Sequence, residues 1–217
     1  MNASNKNSIK ILIADDHEVV RKGLKTILSE HSDLEVVAEA ENGNEVLKII
    51  QNTKVDLLLL DFDMPEKNGL DTLIELKATH PKLPVIILSI FPEDHYGTRF
   101  LKAGASGYLG KASASELLVE AVRKVASGGK YISHELTDKL VTDLTSNSEK
   151  PAHEILTDRE FQVFRGLASG KKIKEIADEL CLSINTISTY RARILQKMDL
   201  QNNAELIRYA LKMGLVS

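Results

Sequence analysis

The sequence predicts an α/β domain with a five-stranded, doubly wound parallel sheet, followed by a smaller all-α domain of four helices. Through residue 127, five short apolar segments alternate with amphipathic helical segments, a pattern typical of a parallel sheet. The stretch from Thr145 to Pro151 is polar and ends in proline, which indicates a linker. After this stretch, apolar residues recur only at helical spacing.

The strands are predicted from short apolar runs. Residues 55–61 read V-D-L-L-L-L-D, and four consecutive leucines fit a strand that is buried on both faces. A helix is the alternative for these leucines, but the run is short and Pro65 ends it, so we favour a strand. The other four strands are predicted at residues 10–14, 34–40, 85–88 and 107–109.

The helices are predicted from apolar residues three or four positions apart. In the first domain they cover residues 19–28, 45–50, 69–79, 92–103 and 113–127. Ser113 is the expected cap of the last of these, and Gly128-Gly129 is its stop. We therefore predict a first domain at residues 1–127, a linker at 128–152 with a short helix at 133–142, and a second domain at 153–217. The helices of the second domain are predicted at 158–168, 173–180, 183–197 and 204–213.

Composition excludes several classes of protein. Of the 217 residues, 43% are hydrophobic, which is ordinary for a globular chain. No window approaches about 18 uninterrupted apolar residues and the N-terminus is polar, so we expect no membrane association and a cytoplasmic location. The single cysteine, Cys181, excludes an internal disulfide and fits a reducing compartment. Residues 153–217 carry ten basic and eight acidic side chains, a weak indication of nucleic-acid binding.

Polar residues follow the predicted strands where each strand ends. Asp15 and Asp16 follow the first strand, and Asp61 ends the third. Ser89 follows the fourth strand, and Lys111 lies just beyond the fifth. Because the carboxyl ends of these strands converge on one edge of the sheet, we expect the five side chains to meet there.

The expected cluster has the chemistry of phosphoryl transfer. Three carboxylates would repel one another without a cation, and a set of oxygen ligands suits Mg²⁺. A carboxylate beside Mg²⁺ can accept a phosphoryl group, whose charge the metal and Lys111 would offset. Asp61 is therefore the predicted reactive carboxylate, with the Ser89 hydroxyl as a donor to the phosphoryl oxygens. Each of these residues also has an ordinary interpretation, as a solvated acid, a turn residue or a surface lysine.

Residues 9–127 resemble a bacterial response-regulator receiver domain, which has a flavodoxin-like fold. The matching text is I-L-I-A-D-D-H from residue 11, L-L-L-D-F-D-M-P-E-K-N-G from residue 58, V-I-I-L-S from residue 85 and G-A-S-G-Y-L-G-K from residue 104. The resemblance implies that Asp61 is the phosphoacceptor. The metal ligands that it implies are the carboxylates of Asp15, Asp16 and Asp61 and the backbone carbonyl of Asp63. It further implies that Ser89, Tyr108 and Lys111 are the switch residues.

Residues 153–216 resemble the LuxR-type helix-turn-helix domain of the NarL/FixJ subfamily, through the text from Ile155 to Met198. The helix that begins at Ser183 has apolar positions for the core, and a recognition helix enters the major groove near its N-terminal end. Small residues on its other side suit base edges and basic ones suit phosphates. The candidate DNA-contacting residues are Asn185, Ser188, Thr189, Tyr190, Arg191, Ala192, Arg193 and Lys197.

Together the resemblances imply a DNA-binding transcription regulator of a two-component system, switched when a sensor histidine kinase phosphorylates Asp61, and not an enzyme. The implied partners are double-stranded DNA, the kinase, a second phosphorylated copy in a homodimer and, as a further candidate, RNA polymerase. One alternative is a phosphatase, because Asp61-Phe62-Asp63 is similar to the D-x-D motif of haloacid-dehalogenase-type phosphatases. A second alternative is a DNA-binding protein whose receiver is inert or serves only for dimerisation.

Overall fold

A computed structural model describes residues 8–90, 93–133, 136–138, 151–180 and 182–216. The chain divides into two compact units between Thr145 and Ser146. The first unit is α/β and the second is helical, so the predicted fold class is confirmed. Cys181, residues 139–142 of the predicted short helix and the polar stretch at 145–150 lie outside the described residues.

The first unit is built on a parallel sheet. Its strands are Ile9–Ala14 (β1), Leu34–Ala40 (β2), Leu57–Asp61 (β3), Val85–Ser89 (β4) and Gly107–Gly110 (β5). The strand order is β2-β1-β3-β4-β5, and every residue of β3 and β4 is buried, as the continuous apolar runs predict. The order reverses between β1 and β3, so the carboxyl ends of these two strands border the crevice in which open α/β sheets bind ligands.

Five helices cover the sheet. They are Glu18–Ser29 (α1), Gly43–Asn52 (α2), Gly69–Thr79 (α3), Glu93–Lys102 (α4) and Ala114–Ala126 (α5). The side chains of Asn42 and Asn68 cap α2 and α3 by accepting from backbone N–H groups at 3.0 and 2.8 Å, which stabilises each first turn. The prediction that the side chain of Ser113 caps α5 was wrong. Residues 111–113 form a 3₁₀ turn, which leaves the backbone of Ser113 near helical angles, and its hydroxyl makes no capping bond.

The segment that follows α5 runs beside the edge strand β5. The N–H of Tyr108 donates to the carbonyl of Tyr131 at 2.9 Å, and the N–H of Tyr131 donates to the carbonyl of Ser106 at 3.0 Å. The N–H of Ser133 then donates to the carboxylate of Glu93 in α4 at 3.1 Å. The first residues of the predicted linker therefore pack on the first unit.

The second unit contains Asp158–Ala168 (α6), Ile173–Glu179 (α7), Ile184–Lys197 (α8) and Asn203–Lys212 (α9). A capping box between Thr157 and Glu160 begins α6, and the Ser183 hydroxyl caps α8 by accepting from the N–H of Thr186 at 3.1 Å. The core consists of buried apolar residues from all four helices, among them Phe161, Phe164, Ile176, Ile187, Ile194 and Leu206. Across the described residues, no helix has the length and apolar character needed to cross a membrane.

Candidate functional site

The acidic residues predicted at the strand ends lie together in the structure. Asp15 follows β1 and is fully buried, Asp61 ends β3 with 3% exposure, and Asp16 is partly exposed. One potential ligand atom from each of these three residues and from His17 lies within 4.8 Å of the others. Carboxylate oxygens in such a cluster are the ligands that hard divalent cations prefer, so the donor set fits a cation of this kind.

Lys111 is the cation in direct contact with this cluster. Its Nζ lies 2.7 Å from Oδ2 of Asp15 and 2.9 Å from Oδ1 of Asp61. Oδ2 of Asp15 and Oδ1 of Asp16 are buried atoms without a hydrogen bond of good geometry, although ion-pair partners stand close to both. Three carboxylates around one lysine leave the pocket with an excess of negative charge, which a bound divalent cation would offset.

The pocket shifts the acidity of its central residues. Burial raises the pKa of Asp61 to about 7, against the attraction of Lys111, and the neighbouring Asp15 and Asp16 add to the increase. Burial by itself would lower the pKa of Lys111, but its contacts with Asp15 and Asp61 outweigh burial and raise it. The lysine therefore keeps its charge beside the buried carboxylates.

Two of the predicted switch residues, Ser89 and Tyr108, are buried on the neighbouring strands β4 and β5. Ser89, at the end of β4, is 1% exposed, and β4 pairs it with Gly110 of β5, directly before Lys111. Tyr108 of β5 is 3% exposed, and its ring centroid lies 6.0 Å from that of Phe100 in α4. The structure therefore has Tyr108 in an inward position. Asp63, beyond β3, has an exposed side chain.

Sequence reasoning missed three residues that shape the pocket. Arg21 of α1 is 6% exposed and donates from Nη1 to the carbonyl of Asp15 at 2.7 Å, which fixes the end of β1. Nδ1 of His17 lies 2.7 Å from Oδ1 of Asp16. A Cβ on Gly69 would collide with the carbonyl of Asp61, so only glycine lets α3 begin against β3. His17 and Gly69 stand within the D-D-H and N-G motifs, so the sequence could have identified them. Arg21 lies one helical turn beyond His17 and belongs to neither motif.

The helix α8 presents one face to the core and the other outward. Ile187, Ile194 and Met198 are buried, and successive helical residues turn by about 100°. The positions opposite these three, all exposed, are Asn185, Thr189, Ala192 and Gln196. The exposed residues Ile184, Ser188 and Arg193 flank them. We call these seven residues the reading face; sequence analysis had not included Ile184 and Gln196, which only the position of the buried side reveals.

Three predicted DNA-contacting residues lie away from the centre of the reading face. Tyr190 and Arg191 are half-buried, and Nε of Arg191 donates to Oδ1 of Asn203 in α9 at 2.7 Å. Nζ of Lys197 donates to Oε2 of Glu160 at 2.7 Å, and Glu160 is almost fully buried. The structure thus gives both basic residues contacts that hold α8 against its neighbours.

Comparison with known proteins covers both units. Residues 11–123 match the family described as response regulator receiver domain, and residues 154–210 match the family described as bacterial regulatory proteins, luxR family. The chain is 34% identical over 209 residues to the response regulator GacA of Pseudomonas aeruginosa, an alignment that covers 96% of this chain and 98% of GacA. It is 37% identical over 217 residues to the oxygen regulatory protein NreC of Staphylococcus epidermidis, covering 96% and 99% of the two chains.

Solved structures show the same fold. One is RcsB from Salmonella enterica serovar Typhimurium bound to promoter P1flhDC in the presence of phosphomimetic BeF₃⁻, with a TM-score of 0.59, 25% identity and coverage of 94% of this chain and 98% of that one. The matched families are transcription regulators and not enzymes, so the phosphatase alternative is wrong. This chain belongs to the NarL/FixJ family of two-component response regulators, DNA-binding transcription regulators that join a receiver to a LuxR-type domain.

Proposed function

We propose that Asp61 is the phosphoacceptor through which a sensor histidine kinase controls DNA binding by this protein. The observation that carries the proposal is the meeting of Asp15, Asp16, Asp61 and Lys111 at the carboxyl edge of the sheet. A carboxylate oxygen of Asp61 attacks the phosphorus of a phosphohistidine, the phosphorus–nitrogen bond breaks, and an aspartyl phosphate forms. The imidazole nitrogen leaves with the electron pair of the broken bond.

The pocket holds the groups that this transfer needs. Mg²⁺ would be held by the carboxylates of Asp15, Asp16 and Asp61 and the backbone carbonyl of Asp63, and when bound it supplies positive charge to the transferring phosphoryl oxygens. Lys111, now 2.9 Å from Oδ1 of Asp61, pairs with a phosphoryl oxygen once that carboxylate has reacted. The Ser89 hydroxyl donates to another. The completeness of this set argues against an inert receiver.

Phosphorylation shifts the population between two packings of the face formed by α4, β5 and α5. Ser89 moves toward the phosphoryl group, and the packing in which Tyr108 is turned inward, as it is here beside Phe100, becomes the more populated one. The segment after α5 is attached to the same face, since Tyr131 pairs with β5 and the N–H of Ser133 bonds to Glu93 of α4. A shift of α4 or β5 therefore displaces Tyr131 and Ser133, the first residues of the segment that leads to the second unit.

The DNA partner is a double-stranded site that α8 enters through the major groove. The proposed contacts are made by Asn185, Ser188, Thr189, Tyr190, Arg191, Ala192, Arg193 and Lys197, with the exposed Arg193 best placed for phosphate. One recognition helix buries little surface, so two copies in a symmetric dimer bind an inverted repeat. RcsB is bound to a promoter in the presence of a phosphomimetic, which supports the link between phosphorylation and DNA. A regulator of promoters acts in the cytoplasm and has RNA polymerase as a candidate partner.

Labelling by a small phosphodonor tests the acceptor. The full-length chain, incubated with acetyl phosphate and Mg²⁺, should gain one phosphoryl group that hydroxylamine removes, as an acyl phosphate requires. Chelation of the metal should abolish the label, and Asp61→Asn should abolish it with the fold intact. Labelling of Asp61→Asn at the wild-type level would show that another residue is the acceptor.

A further inference from the structure

Two side chains on the reading face of α8 have hydroxyl protons that are already engaged by the helix backbone. Oγ of Ser188 donates to the carbonyl of Ile184, and Oγ1 of Thr189 donates to the carbonyl of Asn185, both at 2.9 Å. Because both hydroxyl protons are held by the helix backbone, neither is available to a base. Thr189 can still accept through its oxygen, and its other exposed group is its γ-methyl group.

Two other apolar side chains of α8 are exposed. The side chain of Ala192, which lies on the next turn of the helix, is a methyl group and is exposed. Ile184, at the first position of the helix, leaves a branched aliphatic side chain 51% exposed. The N-terminal residues of a recognition helix contact base edges, and Ile184 and Thr189 belong to the first half of α8.

The basic residues of α8 give little opportunity to read guanine. The commonest specific contact with guanine is a bidentate one from arginine or lysine. Arg191 is bonded to Asn203, and Lys197 is paired with the buried carboxylate of Glu160. On the reading face, Arg193 is the only basic residue, and Asn185, nearer the N-terminal end, carries the amide that suits adenine.

We propose that this protein selects A·T base pairs in the major groove, chiefly by contact of Ile184, Thr189 and Ala192 with the 5-methyl group of thymine. The inference rests on the proposed function of α8 as the recognition helix and names what that helix reads. Thymine is the base that offers a methyl group in the major groove, and an apolar side chain is its natural partner. Asn185 adds discrimination for the adenine of the same or a neighbouring pair.

Removal of the thymine methyl group tests this directly. The phosphorylated full-length protein first selects its site from a random pool of duplex DNA, and the selected duplex is then synthesised with deoxyuridine in place of thymidine. This change deletes only the methyl group and leaves every base-pair hydrogen bond in place. Affinity should fall about fourfold for each contacted methyl group. Equal affinity for the two duplexes would overturn the inference.

Variants locate the contact on the protein. Thr189→Ser keeps the hydroxyl but removes the methyl group, so its affinity should fall on the thymidine duplex while replacement by deoxyuridine at the contacted position costs it nothing further. Ile184→Ala should likewise lose affinity for the thymidine duplex and lose sensitivity to deoxyuridine, but at a different thymine of the site. Ile155→Ala is the matched control, because Ile155 lies outside α8 and is also 51% exposed; it should lose neither affinity nor sensitivity to deoxyuridine.

The outcomes separate the two levels of the proposal. If the pool yields no enriched sequence, the proposed DNA-binding function itself fails. If a sequence is enriched but consists of G·C pairs, or if Thr189→Ser retains full sensitivity to deoxyuridine at every position, the helix binds DNA and the methyl-reading inference is wrong.

Discussion

Replacement of Lys197 by methionine should destabilise the second unit, because it removes the countercharge of a buried carboxylate. Nζ of Lys197 lies 2.7 Å from Oε2 of Glu160. The Glu160 side chain is 4% exposed, whereas that of Lys197 is 39% exposed. The same carboxylate accepts from the N–H and the hydroxyl of Thr157 at 2.8 and 2.9 Å. Lys197 thus joins the C-terminal end of α8 to the first turn of α6.

The expected loss is about 2 kcal/mol. Hydrogen bonds to charged groups contribute roughly 1.5–3 kcal/mol, and breaking a fully buried ion pair costs roughly 3–5 kcal/mol. The lower range applies because Glu160 keeps its two bonds from Thr157, and because water reaches the half-exposed side of the pair. Methionine retains most of the aliphatic length of lysine, so the packing of the stem is largely preserved.

Native-state hydrogen exchange of the full-length chain measures this loss unit by unit. Peptides from α6 and α8 should exchange about 30-fold faster in Lys197→Met, which corresponds to 2 kcal/mol at about 1.4 kcal/mol per tenfold change. Peptides from β3 and β4 of the first unit serve as an internal reference and should not change.

A second ion pair provides the matched control. Lys171 and Glu179 are also 2.7 Å apart, but their side chains are 43% and 51% exposed. Exposed pairs contribute roughly 0–1 kcal/mol, so Lys171→Met should alter exchange by less than about fivefold. If the two variants accelerate exchange equally, burial of Glu160 is not what gives Lys197 its importance.

Three further predictions concern other parts of the chain. The pKa of Glu160 lies below its ordinary value of 4.5, because its bonds with Lys197 and Thr157 outweigh the effect of burial. The extra unfolding free energy of wild type over Glu160→Gln should therefore be complete above pH 4.5 and shrink below it. A difference in unfolding free energy that stays constant in acid would contradict this. A Cβ on Gly97 would lie 2.5 Å from Cδ2 of the buried Leu136. Gly97→Ala should therefore leave labelling by acetyl phosphate intact but weaken the stimulation of DNA binding by phosphorylation. Full stimulation would show that this contact does not couple phosphorylation to DNA binding. Lys111→Met should slow that labelling by about 100-fold, because it removes the cation that faces the phosphoryl oxygens, and an unchanged rate would remove Lys111 from the mechanism.

The sheet could be predicted from the sequence because burial on both faces leaves an unbroken apolar run. Residues 57–60 and 85–88 are fully buried in the structure, and short runs of this kind are typical of parallel strands between two layers of helices. The acidic site followed from the same property, since polar residues at the ends of parallel strands must share one edge. Asp15, Asp61 and Lys111 accordingly meet as predicted.

What the sequence did not reveal depends on contacts between distant residues. The sequence did not show that Lys197, a predicted DNA contact, also pairs with Glu160, because Glu160 lies 37 positions earlier and no local pattern joins the two. Gly128-Gly129 indicated the end of a helix, but nothing in the text showed that Tyr131 would pair with β5. Ser113 has the side chain of a cap, yet a preceding 3₁₀ turn removed the backbone geometry that capping requires.

The central claim is that phosphorylation of Asp61 raises affinity for DNA, and an equilibrium binding titration tests it most directly. Full-length wild type and Asp61→Asn are titrated against the selected duplex at one salt concentration, with Mg²⁺ and with or without acetyl phosphate. The account predicts that the phosphodonor increases the affinity of wild type and leaves the affinity of Asp61→Asn unchanged. A footprint of the wild-type complex should protect an inverted repeat whose half-sites lie about one helical turn apart. Equal affinity of wild type in the two states, or the same increase in Asp61→Asn, would contradict it.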